Sequence, residues 1–330
     1  MAARPKILIT RKIPVECLAY LQEHCDCTLW DGQGSMPREQ LLDKIKDYDG
    51  LLLSGTPVNA ELLERAPRLK AVSSISVGYN HFNIEEMKAR GVIGTHTPYV
   101  LDDTVADLVL ALMLASARRI AELDAFVKEG KWRRGQVREE DLFGMDVHHA
   151  TLGIIGMGRI GEAIAKRAVH GFDMNLLYYN RSRKPEVEER FGAQYCSLEQ
   201  LLKESDFVVL MTPLTPETVH YIRKEHFEMM KPSAFFINAS RGQTVDEEAL
   251  IDALRNGIIR GAGLDVFAQE PTSPDNPLLQ LDNVVTVPHI GSATAKTRND
   301  MAMVASRNLV GALIGGKAHV VPELQSLLKA

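Results

Sequence analysis

Short apolar runs rich in β-branched residues alternate along the chain with stretches whose apolar positions recur at helical spacing. Lys6–Thr10, Gly50–Leu53, Leu69–Ile75 and Gly91–Thr95 show the first pattern, and Pro14–His24, Arg38–Ile45, Ala60–Arg65 and Ile84–Arg90 the second. That rhythm predicts βαβ units and a parallel sheet. Thr104–Gly130 is a continuous run of helix formers, expected to be one long helix stopped at Gly130. The alternation then resumes, with strands expected at Thr151–Ile155, Asn175–Tyr179, Asp206–Met211, Ser233–Asn238, Gly261–Val266 and Asn283–Val287. Helices are expected at Glu162–Val169, Pro185–Phe191, Leu198–Glu204, Lys224–Met229 and Glu247–Asn256, with a last long one at Ala295–Ile314. The fold class is α/β, with two sheets in one chain.

The strongest local signal is Gly156-Met157-Gly158-Arg159-Ile160-Gly161, which follows a strand and opens a helix. Only in that context does a GxGxxG string point to a dinucleotide. Gly156 permits the turn, Gly158 lets backbone approach a pyrophosphate, Gly161 lets helix and strand pack, and the helix N-terminus faces the phosphates. The end of the next strand reports on the cofactor. An acidic residue there would hold the ribose hydroxyls of NAD, but the chain reads Asn180-Arg181-Ser182-Arg183-Lys184. Such a turn can hydrogen-bond and neutralise a 2′-phosphate, so NADPH is the expected cofactor and NADH the second choice. The alternative reading of Arg181 and Arg183 is solvated loop charge.

Three further segments lie at strand ends, where active-site groups collect in open α/β sheets: Asn238–Gly242, Gly263–Pro271 and Val287–Ala293. Together they supply Arg241, Glu270 and His289. Reduction of a 2-oxo acid needs a cation to hold the carboxylate and polarise the carbonyl, and a proton donor for the alkoxide formed as hydride arrives. Arg241 suits the first task; His289 suits the second if Glu270 holds its ring and stabilises the imidazolium.

Composition narrows the reading. A length of 330 residues suggests two domains. With 38 Lys plus Arg against 43 Asp plus Glu, the net charge of −5 argues against nucleic acid as a partner but leaves room for a local basic pocket. Cys17, Cys25, Cys27 and Cys196 lack metal-site spacing and read as reduced thiols, while His148-His149 lacks further ligands, so no metal is expected. Ile7–Ile9 is too short for a signal-peptide core and Leu108–Ala117 too short to span a bilayer, so a cytoplasmic protein without a membrane partner is expected.

These motifs, with Val77-Gly78-Tyr79-Asn80, Thr104–Leu108 and Pro288–Ser292, resemble in order and content the D-isomer-specific 2-hydroxyacid dehydrogenases. Within that family the chain is most similar to glyoxylate/hydroxypyruvate reductases and 2-ketogluconate reductases, over essentially its whole length. The resemblance implies that Arg241, Glu270 and His289 are catalytic. It implies that Val77 and Gly78 hold the substrate carboxylate through their amides, along with Arg241 and His289. It places Thr104, Arg159, Ile160, Thr212, Pro213, Ala239, Asp265 and Gly291 at the cofactor, with Asp265 on the nicotinamide carboxamide; Arg241 and His289 also border it. It implies a Rossmann-type doubly wound dinucleotide-binding domain, 103–288, inserted into a smaller flavodoxin-like substrate domain of 1–102 and 289–330, with the active site in the cleft between them. It further implies a homodimer, in which Trp132 either reaches the neighbour's pocket or is a plain interface aromatic. Asn80 and Asn83 depart from the aspartates many relatives carry. The expected reaction is reduction of glyoxylate, hydroxypyruvate or 2-ketogluconate to the D-hydroxy acid. The rivals are NAD-dependent oxidation of the phosphoglycerate or formate type, and a dinucleotide-sensing corepressor.

Overall fold

The computed structural model describes residues 4–133 and 135–328. They form two compact units: the chain up to Leu101 together with Ala293 onward, and Asp102–Ser292. The outermost residues of the expected substrate domain, 1–3 and 329–330, lie outside the described residues.

The first unit runs β1 (Lys6–Ile9), α1 (Val15–His24), β2 (Asp26–Leu29), α2 (Arg38–Lys44), β3 (Gly50–Leu53), α3 (Ala60–Arg65), β4 (Ala71–Ser74), α4 (Ile84–Ala89) and β5 (Ile93–Thr95). Its sheet is wholly parallel in the order β2-β1-β3-β4-β5, the flavodoxin-like order. Helices cover both faces, so Ile7, Leu8, Ile9, Leu51, Leu52 and Leu53 are all without exposed surface, the signature of an inner parallel strand. Asn59 and Asn83 open α3 and α4 by accepting the amides of Leu62 and Glu86, a task asparagine and aspartate perform alike. The departure at Asn83 is therefore a helix cap.

The second unit runs α5 (Asp102–Ala117), α6 (Ile120–Lys128), β6 (Thr151–Ile155), α7 (Arg159–Phe172), β7 (Asn175–Tyr179), α8 (Pro185–Phe191), β8 (Gln194–Tyr195), α9 (Leu198–Glu204), β9 (Phe207–Leu210), α10 (Lys224–Met229), β10 (Phe235–Asn238), α11 (Glu247–Arg255), β11 (Gly261–Leu264) and β12 (Val284–Thr286). Its parallel sheet has the order β12-β11-β10-β9-β6-β7-β8. The strand order reverses at β6, which is the doubly wound pattern, and ligands gather outside the carboxyl ends at such a point. The core under it includes Leu177, Val208, Leu210, Phe227, Phe236 and Leu264. The chain then re-enters the first unit as α12 (Ala295–Ile314), packed on β3 and β4. Gly50 admits it: a Cβ there would stand 2.8 Å from Leu313 Cδ1.

The expected single helix over 104–130 is two. Arg119 adopts a left-handed conformation (φ 53°) and ends the run, with its guanidinium bonded to Glu122 (2.8 Å) and to the carbonyl of Asp141 (2.6 Å). The second compact unit runs from Asp102 to Ser292, against the expected 103–288. Residues 289–292 fall in the second unit, because the amides of Ile290 and Gly291 are tied to Asp265.

Candidate active site

Parallel strands deliver most of the expected groups of the second unit to one edge of its sheet. Gly156 follows β6, Asn180 follows β7, Thr212 follows β9, Ala239–Arg241 follow β10, Asp265 follows β11 and His289 follows β12. Thr104 sits in the first turn of α5 in the same unit. Val77 and Gly78 follow β4, in the other unit.

The glycine turn has a separate physical cause at each glycine. Gly156 has φ 98°, and a Cβ there would meet the backbone of Met211 and Thr212 at 2.8–2.9 Å. Gly158 faces open space, with no atom within 4 Å of where its Cβ would lie. A Cβ on Gly161 would lie 3.0 Å from the carbonyl oxygen of Gly156 and 3.5 Å from Ile154 Cγ2. Helix α7 opens at Gly158 with no side-chain cap, which leaves its first amides facing the edge.

Asn180 is spoken for by this turn. Its Oδ1 accepts the amide of Met157 (2.7 Å) and its Nδ2 donates to the carbonyl of Met157 (3.1 Å). Beyond it, Arg183 grips Glu188 through Nε (2.7 Å) and Nη2 (2.6 Å), while Tyr178 donates to the same carboxylate (2.7 Å) and accepts the amide of Lys184. Arg183 and Tyr178 thereby hold the carboxyl of Glu188 below its ordinary range. Arg181 and Ser182 are exposed beside this clamp, and Lys184 is paired with Glu162 (3.1 Å).

Arg241 is positioned by close backbone crossing. A Cβ on Gly242 would lie 1.9 Å from the carbonyl of Phe267, so only glycine lets the β10 loop lie on the β11 loop. The carbonyl of Arg241 is held by Thr244 Oγ1 (2.6 Å) and Asn238 Nδ2 (3.2 Å), and its own Nη1 donates to Ser240 O (2.6 Å). Burial lowers the guanidinium pKa, opposed by the charges of Glu270 and Asp265, yet an arginine stays cationic.

Glu270 and His289 form a dyad, Oε2 to Nδ1 at 2.6 Å. The other oxygen of Glu270 accepts the amide of Phe267 (3.1 Å). Burial alone would raise the Glu270 carboxyl, but the hydrogen bond and charge of His289, the Phe267 amide and the charge of Arg241 together bring it below its ordinary value. Glu270 is then an ionised acceptor, so Nδ1 of His289 must carry hydrogen. That leaves Nε2 as the ring atom that can give or take a second proton. His289 is itself left-handed (φ 51°), and the next two amides anchor on Asp265: Ile290 N to Oδ1 at 2.6 Å and Gly291 N to Oδ2 at 3.0 Å. Asp265 is 1% exposed, and burial raises its carboxyl.

Several supporting side chains escaped the reading of the sequence: Asn238 and Thr244 under Arg241, Gln243 on the carbonyl of Ala268 (2.7 Å), and Glu247 on the amide of Ala268 (2.9 Å). A polar residue at a buried strand end, as at Asn238, is the one signal that could have marked them.

Comparison with known proteins decides the family. The D-isomer specific 2-hydroxyacid dehydrogenase NAD binding domain matches residues 110–291. The chain is 50% identical to glyoxylate/hydroxypyruvate reductase B of Pectobacterium carotovorum subsp. carotovorum (strain PC1), over 94% of this chain and 96% of that one. It is 49% identical to the glyoxylate reductase of Thermococcus onnurineus (strain NA1), over 93% and 92%. The chain belongs to the D-isomer specific 2-hydroxyacid dehydrogenases. Among solved structures, it is similar to the NADPH-dependent glyoxylate/hydroxypyruvate reductase of Sinorhizobium meliloti in complex with NADP and malonate. That likeness has a TM-score of 0.84 at 32% identity and covers 98% of each chain.

As a 2-hydroxyacid dehydrogenase the protein is an oxidoreductase with a nicotinamide cofactor, and its residues fit that group. The open cradle at Gly158, the uncapped start of α7 and the buried hydroxyl of Thr212, which has no partner among the described residues, all stand on the same sheet edge. No helix among the described residues is long and apolar enough to cross a membrane.

Proposed function

We propose that this dehydrogenase reduces glyoxylate and hydroxypyruvate to the D-2-hydroxy acids with NADPH. The observation that carries this is the Glu270–His289 dyad beside the half-buried Arg241, on the edge that bears the glycine turn. When bound, the reduced nicotinamide supplies the hydride that reaches C2 of the 2-oxo acid. Arg241 holds the substrate and polarises the C2 carbonyl. Nε2 of His289 gives its proton to the oxygen that becomes the hydroxyl, and Glu270 holds the ring and balances the imidazolium. The amides of Val77 and Gly78 take the substrate carboxylate. The first amides of α7 (Arg159, Ile160) take the pyrophosphate; Asp265 takes the carboxamide; Thr104, Thr212, Pro213, Ala239 and Gly291 complete the cofactor contacts.

NADPH is favoured by the absence of a carboxylate after β7 and by Arg181 and Ser182, which stand exposed there. The clamp on Glu188 makes Arg181 the chief counter-charge for a 2′-phosphate, with Arg183 acting from its place on Glu188. A homodimer accounts for α6, which buries none of its residues and exposes Ile120 and Val127, with Trp132 and Phe143 exposed nearby in sequence. The four unpaired cysteines suit a reducing cytoplasm.

Initial rates of glyoxylate, hydroxypyruvate and 2-ketogluconate reduction, each with NADPH and NADH, test this reading. Turnover of the first two with NADPH ahead is expected. Equal or faster rates with NADH would overturn the cofactor choice, and no turnover with any pair would overturn the substrate class.

A further inference from the structure

The loop Ser76–Tyr79 carries three consecutive peptide planes, and each has its carbonyl tied down. The amide of Thr97 donates to Ser76 O (2.9 Å), His96 Nδ1 donates to Val77 O (2.9 Å), and Ser76 Oγ donates to Gly78 O (2.8 Å). In a trans peptide the N–H points away from its carbonyl. Fixing the carbonyls of 76, 77 and 78 therefore fixes the amides of Val77, Gly78 and Tyr79. None of those three amides donates to a protein acceptor among the described residues.

The tether to Gly78 has a direction that its chemistry dictates. Ser76 has one hydroxyl hydrogen, and the carbonyl of Gly78 can only accept, so that hydrogen is used there. Ser74, 2.7 Å from Ser76, must then give its hydrogen to Ser76, and His81 Nε2, 3.0 Å from Ser74 Oγ, must donate to Ser74. A relay of donors runs from His81 through Ser74 and Ser76 to Gly78. The second tether is as firmly built. The ring of His96 meets Tyr79 edge-on (centroids 5.4 Å apart), its amide donates to His319 O, and its carbonyl accepts Asn308 Nδ2 (2.7 Å).

We infer that His96 and Ser76 are positioning residues that aim the amides of residues 77–79 at the carboxylate of the 2-oxo acid. This rests on the substrate class proposed above, and it adds that the cradle is set by side chains outside it. Neither side chain need touch the substrate: each acts on a carbonyl, and the amide in the same plane does the binding. Removing either tether frees a peptide plane to rotate, which weakens carboxylate binding and leaves hydride and proton transfer in place.

The test compares His96→Leu with His96→Asn, and Ser76→Ala with Ser76→Thr, the second of each pair keeping a donor near the lost one. His96→Leu and Ser76→Ala are each expected to raise KM for glyoxylate by about 10-fold, the loss of one net hydrogen bond's positioning. Their kcat and KM for NADPH should stay within about twofold of wild type, and His96→Asn and Ser76→Thr should recover most of the loss. Unchanged KM for glyoxylate in both Leu and Ala variants would overturn the inference. So would a rise in KM for NADPH that matches the rise for the acid, since a merely structural role predicts that. Calorimetric binding of oxamate, a non-reacting carboxylate, to the NADPH-loaded protein reads the same shift without turnover. A wild type that turns over no 2-oxo acid would refute the proposed reaction, while the oxamate shift would still decide this inference.

Discussion

At their amino edges the two sheets use the same device. Asp49, just before β3, exchanges bonds with Lys6 at the start of β1: its Oδ2 accepts the Lys6 amide and its own amide donates to the Lys6 carbonyl. Asp206, just before β9, does the same with Thr151 at the start of β6. At their carboxyl edges the sheets part company. The seven-stranded sheet makes its cradle by leaving side chains out, at Gly156, Gly158 and Gly161. The five-stranded sheet makes its loop by adding side chains that tie down carbonyls, at Ser74, Ser76, His81 and His96. Both methods present backbone amides at a strand end. A cradle made by omission is written in three letters between 156 and 161; one made by tethering is scattered from 74 to 96.

The largest effect should come from breaking the cradle made by omission. Gly158→Ala puts a methyl into open space, so the fold should hold while NADPH affinity falls by about 100-fold, seen by titration of the bound cofactor's fluorescence. Gly156→Ala should lower the melting temperature as well, because its Cβ meets backbone and its φ is left-handed. If the two variants behaved alike, the distinct causes assigned to these glycines would be wrong.

Glu270→Gln comes next. It keeps a hydrogen-bonding shape but removes the charge behind His289, and kcat should drop about 10- to 100-fold with KM for NADPH little changed. The folded-state carboxyl of Glu270 lies below its ordinary value. Glu270 is thus ionised at neutral pH and takes up a proton only as pH falls through that lowered value. An acid limb of the reduction profile above the usual carboxylate range would contradict the geometry. Arg181→Ala should then raise KM for NADPH by about 10-fold and leave NADH alone; an equal effect on both would make Arg181 mere surface charge.

The smallest kinetic effect is expected at the shared amino-edge device. Asp49 is 5% exposed and also pairs with Arg68 (3.2 Å) and Lys70 (3.4 Å). Burial would raise its carboxyl, but the Lys6 amide, Arg68 and Lys70 outweigh that and lower it. Its stabilising contribution is therefore present above its unfolded-state pKa and lost as pH falls through the lower folded value. Asp49→Asn should cost about 1–3 kcal/mol by denaturant unfolding at neutral pH, with kinetic constants unchanged, and the deficit should shrink in acid. A deficit that persisted in strong acid would point to packing rather than charge.

The same contrast explains what could be read from the sequence. Inner strands such as Gly50–Leu53, Thr151–Ile155 and Asn175–Tyr179, and capped helices such as Ala60–Arg65, coincide with the expectation because burial and capping act locally. Asp26–Leu29 was missed: it is an edge strand with alternating exposure, and Cys-Asp-Cys carries little apolar signal. Gln194–Tyr195 is shorter still and exposed. The break at Arg119 has no glycine or proline to announce it; besides Glu122, the bonds that hold it come from the carbonyls of residues 141 and 143. In the candidate site, the meeting of Arg241, Glu270 and His289 was legible because each lies in a short segment after a strand of one parallel sheet. Asn238, Thr244 and the tethers of the 76–79 loop were not, since a serine or histidine shows its partner only in three dimensions.

The left-handed backbone at His289 has a consequence beyond chemistry. Any side chain costs some free energy at φ 51°, histidine less than a β-branched residue and glycine least. His289→Gly should relax that backbone but strip Glu270 of its 2.6 Å partner, so it should melt no later than wild type while reducing almost nothing. Selection for heat tolerance alone would thus meet two opposed forces at this one position, a backbone that prefers glycine and a carboxylate that prefers its histidine.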